Sequence, residues 1–317
     1  MRILAAALFV VSSLAFGQSY PTKPVTIVVP YPAGGPTDTL ARQVAQRFTE
    51  KLGEPFVVED ITGGNTLIAT GRVAKAPGDG YTLLLHNLQI SANVTLYPKA
   101  TFDTERELTT VGFINRNPLV MVGRKGLPPN NLRELLAYMK DHDVSIAHPG
   151  AGATGHLTTT LFLQEAKLKA TMVPYRGAAP AIQNLLGEQV DMFLSTPQAV
   201  VKLVQSGRLK AYGITTKESY PQFPGVASFV DISPKLDVFY WQTLFAPAAT
   251  PKAIIEKLNA VLQEFEDDPA IVKGWDAEGV SAFPKDERSV EGGQKVMKSE
   301  IARWRQVIQD NHIQGPQ

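Results

Sequence analysis

From Lys23 onward, short β-branched runs alternate with segments whose apolar positions recur every three or four residues. This is the pattern of parallel sheets with crossover helices. Val25 to Val29 predicts a strand buried on both faces. After a Pro/Gly loop, Leu40, Val44, Phe48 and Leu52 line one helical face, Gly53 stops the helix, and Phe56-Val57-Val58 begins the next strand. The turn Gly78-Asp79-Gly80 precedes a strand over Tyr81 to Leu85, so the first unit reads β-α-β-α-β.

A second unit of similar design opens at Leu119 to Val122. A helix over Leu132 to Lys140, a strand over Val144 to Ala147, a helix holding Leu157 to Gln164 and a strand over Thr171 to Tyr175 follow. Pro180 suits the first turn of a helix that Gly187 stops. Strands over Val190 to Leu194 and Leu209 to Gly213 flank a helix over Gln198 to Gln205. The chain then returns: Thr243 to Pro247 predicts a short apolar strand, Pro251 opens a long helix ending in the acidic run Glu264 to Asp268, and Val296, Ile301, Trp304 and Ile308 mark a last amphipathic helix.

The amino terminus lies outside this pattern. Arg2, the apolar run Ile3 to Val11 and Ala15-Phe16-Gly17 before Gln18 have the order of a secretory signal peptide, so residues 1–17 are excluded from the fold. Export to the periplasm, with cleavage near Gly17-Gln18, is the expectation. A chain of 317 residues leaves room for two domains, expected as 18–118 plus 246–317 and 119–245. Lys plus Arg number 31 against 30 Asp plus Glu, without a basic stripe, which gives no footprint for nucleic-acid binding. With no cysteine, thiol catalysis, thiolate metal ligation and disulfides are excluded.

Candidate chemistry lies in loops between a strand end and a helix start. In Pro30-Tyr31-Pro32-Ala33-Gly34-Gly35-Pro36-Thr37-Asp38, glycines permit close backbone approach and the helix start supplies free N–H groups, an arrangement suited to an anion. His148-Pro149-Gly150-Ala151-Gly152-Ala153-Thr154-Gly155-His156 repeats it and matches G-x-G-x-x-G by spacing. The next strand, however, ends in Tyr175-Arg176-Gly177 with no acid for a ribose. Arg176 offers a fork for a carboxylate or, alternatively, an ion pair with Asp191. Asn87 and Ser195 also follow predicted strands, and ligands of open α/β sheets bind beyond the carboxyl ends of strands. Tyr31, Phe239, Tyr240 and Trp241 are candidates for an aromatic wall, with Trp241 placed to line the cleft.

Patterns for catalysis are sparse. None of the 5 histidines has H-E-x-x-H spacing, and no G-x-S-x-G elbow is present. No metal and no cofactor is expected. His148 and His156 read as positioning or loop-packing residues rather than general bases.

At these residues the sequence resembles the substrate-binding proteins of tripartite tricarboxylate transporters, also called Bug proteins. The likeness rests on Tyr20 to Pro24, the Pro30 to Asp38 loop, Ala76-Pro77-Gly78-Asp79-Gly80-Tyr81-Thr82-Leu83, Val173-Pro174-Tyr175-Arg176-Gly177 through Asp191, and Trp241 with Phe245-Ala246-Pro247. The resemblance implies a clamshell of the periplasmic-binding-protein type II class, two α/β domains around a cleft, that carries a small carboxylate to a membrane permease. It implies ligand contacts from Pro32, Gly34 and Gly35, from the Gly150 to His156 loop with Thr154, and from residues near Asn87 and Ser195. Two departures stand out: Asp60-Ile61-Thr62-Gly63-Gly64-Asn65-Thr66 replaces an Asn-x-x-Gly-Ala-Gly-Gly segment, and His86-Asn87 stands where smaller residues are common. The leading reading is a monomeric periplasmic binding module for a dicarboxylate or aromatic carboxylate. The alternative is a secreted α/β enzyme, a hydrolase or nucleotide-dependent oxidoreductase, acting on a small acid.

Overall fold

The computed structural model describes residues 20–315; the expected signal segment lies outside them. In chain order the first unit comprises β1 (Val25–Val29), α1 (Pro36–Leu52), β2 (Phe56–Asp60), α2 (Leu67–Ala74), β3 (Thr82–Asn87), α3 (Gln89–Leu96), α4 (Thr104–Glu107) and β4 (Leu108–Pro118). The second comprises β5 (Val120–Arg124), α5 (Leu132–Asp141), β6 (Ser145–His148), α6 (Thr154–Ala166), β7 (Thr171–Pro174), α7 (Ala178–Leu186), β8 (Met192–Ser195), α8 (Pro197–Gln205), β9 (Leu209–Ile214) and β10 (Ala227–Ser228). The return is β11 (Phe239–Pro247), α9 (Lys252–Glu266), α10 (Pro269–Glu278), β12 (Ser281–Ala282) and α11 (Val290–Asp310).

These strands form two six-stranded sheets, ordered β12-β4-β11-β3-β1-β2 and β10-β9-β5-β8-β6-β7. The expectation of parallel sheets holds for only part of each. β1 pairs parallel with β2 and β3, and β6 pairs parallel with β7 and β8, but β11 runs antiparallel to β3 and β4, and β5 antiparallel to β8 and β9. Both sheets thus contain a first parallel strand between its two successors, bounded by an antiparallel strand. In such an order, helices on either side of the sheet leave a crevice at the carboxyl ends of β1 and β3, and of β6 and β8.

Two of the elements that differ from the sequence expectation bear on the site. β4, which lies between β12 and β11, has its apolar positions interrupted by Thr110, Asn115 and Asn117, yet all three are buried. β11 starts at Phe239 rather than Thr243, since Gln242, also buried, breaks the apolar run; residue 246, the expected return point, lies inside this strand.

The core explains the order. Val25, Ile27 and Val29 pack against Leu40, Val44 and Phe48 of α1 and Leu258 and Leu262 of α9. Val28 and Leu84 face the other side, into a cluster that runs through Phe113, Trp241 and Trp304 to Met121, Leu161 and Phe162 of the second unit. Val120, Phe193 and Ile214 anchor a third cluster under α7 and α8. Among the described residues, no helix is long and apolar enough to cross a membrane.

The helix that carries the first candidate loop is bounded as its sequence predicts. Pro36 is its first residue, and Gly53 closes it in the left-handed region at φ 86°, its N–H bonding to the Thr49 carbonyl. A Cβ at Gly53 meets no atom within 4 Å, so only the backbone conformation opposes substitution. Gly53→Ala is therefore expected to cost about 1 kcal/mol, read as a lower denaturation midpoint at unchanged m-value.

Candidate functional site

The carboxyl ends of β1 and β3 bring together a buried polar group. The Tyr31 hydroxyl lies 3.3 Å from both His86 Nδ1 and Gln89 Oε1. Asn87 donates its amide to the Tyr240 hydroxyl at 3.0 Å, accepts the Gln89 N–H, and the Tyr240 hydroxyl in turn lies 3.4 Å from Thr37 Oγ1. Tyr240 reaches this group because β11 pairs antiparallel with β3, with Gln242 opposite Asn87. His86, Asn87, Gln89, Thr37 and Tyr240 are all buried, whereas Tyr31 is partly exposed.

Within the first loop the backbone groups are partly committed. Gly34 donates its N–H to Asp38 Oδ2 at 2.7 Å and Gly35 to the Pro32 carbonyl at 3.4 Å. The Asp38 carboxylate is also paired with Arg42 at 2.8 Å, and Arg42 with Asp60 at 3.1 Å. Asp38 is consequently a staple of the loop, and Gly34 spends its donor inside it. Pro36 carries no N–H, so the first-turn donors that remain are those of Thr37 and Asp38. Pro32 and Gly34 are exposed at the tip.

The second candidate loop lies at the end of β6. Gly152 donates to His156 Nδ1 at 3.1 Å, and the His148 and His156 rings are tilted together at 4.4 Å. Thr154 is the first residue of α6 and is buried, as are His148 and, at the end of β8, Ser195. Gly177 and Tyr175 donate to the Pro149 and His148 carbonyls, which ties the β7 end to this loop beside Gly150 and Ala151.

Three residues expected at the site stand apart. Trp241 points away from Tyr240, as neighbours on a strand must. It packs on Phe113 at 4.8 Å and donates its indole N–H to Glu300 of α11 at 2.8 Å, in the core. Phe239 carries the Arg116 guanidinium on its face at 4.1 Å. The aromatic wall expected from four residues is thereby reduced to Tyr31 and Tyr240. Arg176 is exposed, and the alternative ion pair with Asp191 does not form: Asp191 binds Arg124 at 2.8 Å and both the N–H and hydroxyl of Ser145.

Burial sets the protonation of the whole group. The His86 imidazole is pushed down to about 3 and His156 to about 4, and His148 is also lowered, all by loss of water around the charged form. The Tyr31 and Tyr240 phenols are raised by the same cause and remain O–H donors. His86 Nδ1 lies 2.8 Å from the Asn87 N–H and 3.0 Å from the Asn87 carbonyl, and its Nε2 has no partner among the described residues. The arrangement is a set of neutral donors suited to hydrogen-bonding an anion. No group of three His, Asp or Glu among the described residues is placed to hold a metal.

Sequence reasoning did not single out Gln89 or Tyr97, and it met Asn65 only as part of a departure from the family pattern. Asn65 Nδ2 donates to the Tyr97 hydroxyl at 2.8 Å and to the Ala151 carbonyl at 3.4 Å, and its Oδ1 accepts from Gln89 at 2.8 Å. The one available signal was an Asn following two glycines, a residue that tolerates left-handed backbone.

Known proteins share this architecture along nearly the whole chain. BugT of Bordetella pertussis is 31% identical over 301 residues, covering 92% of this chain and 90% of its own. MatC of Rhodopseudomonas palustris, solved with bound malate, superposes with a TM-score of 0.82 at 32% identity, covering 91% of this chain and all of its own. R. palustris Rpa4515, solved with adipate, gives 0.84 at 30% identity over 93% and 99%. The family model described as "Tripartite tricarboxylate transporter family receptor" matches residues 40–313, and the chain belongs to that family.

Proposed function

We propose that this receptor captures a small aliphatic dicarboxylate between the loops at the ends of β1, β3, β6 and β8 and delivers it unchanged to a membrane permease. The observation that carries this reading is the buried set of neutral donors around Asn87 and Tyr240 together with the helix starts at Thr37 and Thr154. A carboxylate leaving water needs its hydration replaced by donors, and helix N-termini and hydroxyls supply them without a buried countercharge. Malate and adipate, held by two similar proteins, belong to the same ligand chemistry. With Trp241 and Phe239 engaged elsewhere, the aliphatic reading is preferred to the aromatic one. Export through a signal peptide ending near Gly17, two domains that close on the ligand, and a monomeric state complete the proposal.

The decisive experiment is thermal unfolding of the chain from Gln18 against malate, adipate, tricarboxylates and aromatic acids, after refolding to remove captured ligand. At 100 times its Kd a ligand adds about 2.7 kcal/mol, which raises the midpoint by a few degrees. A selective rise with the acid recovered intact by mass spectrometry supports a binding module. Chemical conversion of the acid supports the enzyme reading instead.

Thr154→Val is expected to weaken the bound acid by about 1–3 kcal/mol in calorimetry with the unfolding midpoint of the free protein little changed. Trp241→Phe, which removes the indole donor to Glu300, has the opposite profile: a lower midpoint and unaltered affinity.

Affinity for a dianion is expected to be flat from about pH 6 to 8, because His86 and His156 are already neutral there, and to fall in acid as the ligand's own carboxylates protonate. Stability has a different profile. Both histidines have folded pKa values below their unfolded value, so the unfolded chain binds the extra protons and stability drops as pH falls from about 6.5 towards 4. Denaturation midpoints across that range check the sign, and His156→Gln is expected to flatten part of the slope.

A further inference from the structure

Four consecutive residues between β2 and α2 have positive φ: Gly63 at 121°, Gly64 at 54°, Asn65 at 52° and Thr66 at 77°. For Thr66, which is β-branched, this conformation is an outlier that persists only where the surroundings over-determine it. Here they do. Asn93 donates its amide to the Asn65 carbonyl at 3.1 Å and to Thr66 Oγ1 at 2.9 Å, and Thr70 Oγ1 donates to the Thr66 carbonyl.

The result is to aim the Asn65 side chain across the cleft. A chain of contacts leads from the first loop to the second: Tyr31 hydroxyl to Gln89 Oε1 at 3.3 Å, Gln89 Nε2 to Asn65 Oδ1 at 2.8 Å, and Asn65 Nδ2 to the Ala151 carbonyl at 3.4 Å. The second loop is shaped for this approach. Gly152, at φ 75°, would as any larger residue bring its Cβ to 2.7 Å from Leu96 of α3 and 3.4 Å from Asn65 Nδ2.

We infer that Asn65 is a positioning residue that links the two ligand loops and holds the units together over the cleft, so that release of a captured solute requires the Asn65 to Ala151 contact to break. The Asn93 and Thr70 bonds to Asn65 and Thr66 hold this backbone in place, which lowers the entropy lost when the contact forms. The inference rests on the carboxylate reading for its kinetic consequence alone; the linkage between units does not need a ligand.

The chain has no cysteine, so Lys99→Cys and Ala179→Cys, exposed positions on opposite units, accept spin labels at two sites only. In this doubly labelled, ligand-free protein, Asn65→Gly keeps the left-handed backbone and removes only the amide. The distance distribution is expected to shift to longer separations, and the dissociation rate of malate or adipate to rise roughly five- to tenfold with the association rate little changed. Gly152→Ala, which pushes from the other side, is expected to open the same distance and stands in if Asn65→Gly does not fold. A distance distribution unchanged in both variants overturns the inference. Longer distances with no acid bound at any concentration would uphold the linkage and count against the carboxylate reading alone.

Discussion

Everything at the cleft depends on the parallel pairing of β1 with β3 and of β6 with β8. In a parallel pair both carboxyl ends lie on the same edge, and each must be followed by a loop and a helix start. That places Tyr31 to Asp38 beside His86 and Asn87 in one unit, and His148 to His156 beside Ser195 in the other. The antiparallel strand β11 adds Tyr240 from the opposite direction, which no arrangement of parallel strands alone supplies. The three hydroxyls and amides at the centre of the site thus come from three separate stretches of chain.

The electrostatics follow from burial rather than from opposed charges. The one acid in the first loop, Asp38, is neutralised by Arg42 and spends itself on the Gly34 amide, which shapes the turn. The imidazoles of His86 and His156 are held neutral by lack of water, so they act as hydrogen-bonding rings. Neutral donors on rigid strand ends and helix starts suit reversible capture, since they bind an anion without a buried countercharge left unpaired when it leaves.

Much of this is legible in the sequence. The strand and helix boundaries around both glycine loops follow from local rules, as Pro36 and Gly53 at the two ends of α1 show. Gly187 likewise ends α7. Local rules failed where burial overrode polarity. β4 buries Asn115 and Asn117, and β11 buries Gln242, inside a sheet against which α9 and α11 pack.

The sequence by itself determined the alternation of strands and helices, the two glycine-rich helix starts and the family to which the chain belongs. Those features are encoded by residues close together along the chain, where periodicity, Pro and Gly act directly on the backbone. Only the tertiary structure decided which side of β11 faces the site. Strand alternation sends Tyr240 to Asn87 and Trp241 to Glu300, and the choice between them is made by pairing with β3, more than 150 residues away in sequence. It likewise brought Asn65 to Ala151, a contact between distant segments whose partners share no local pattern, so only packing of one unit against the other could reveal it.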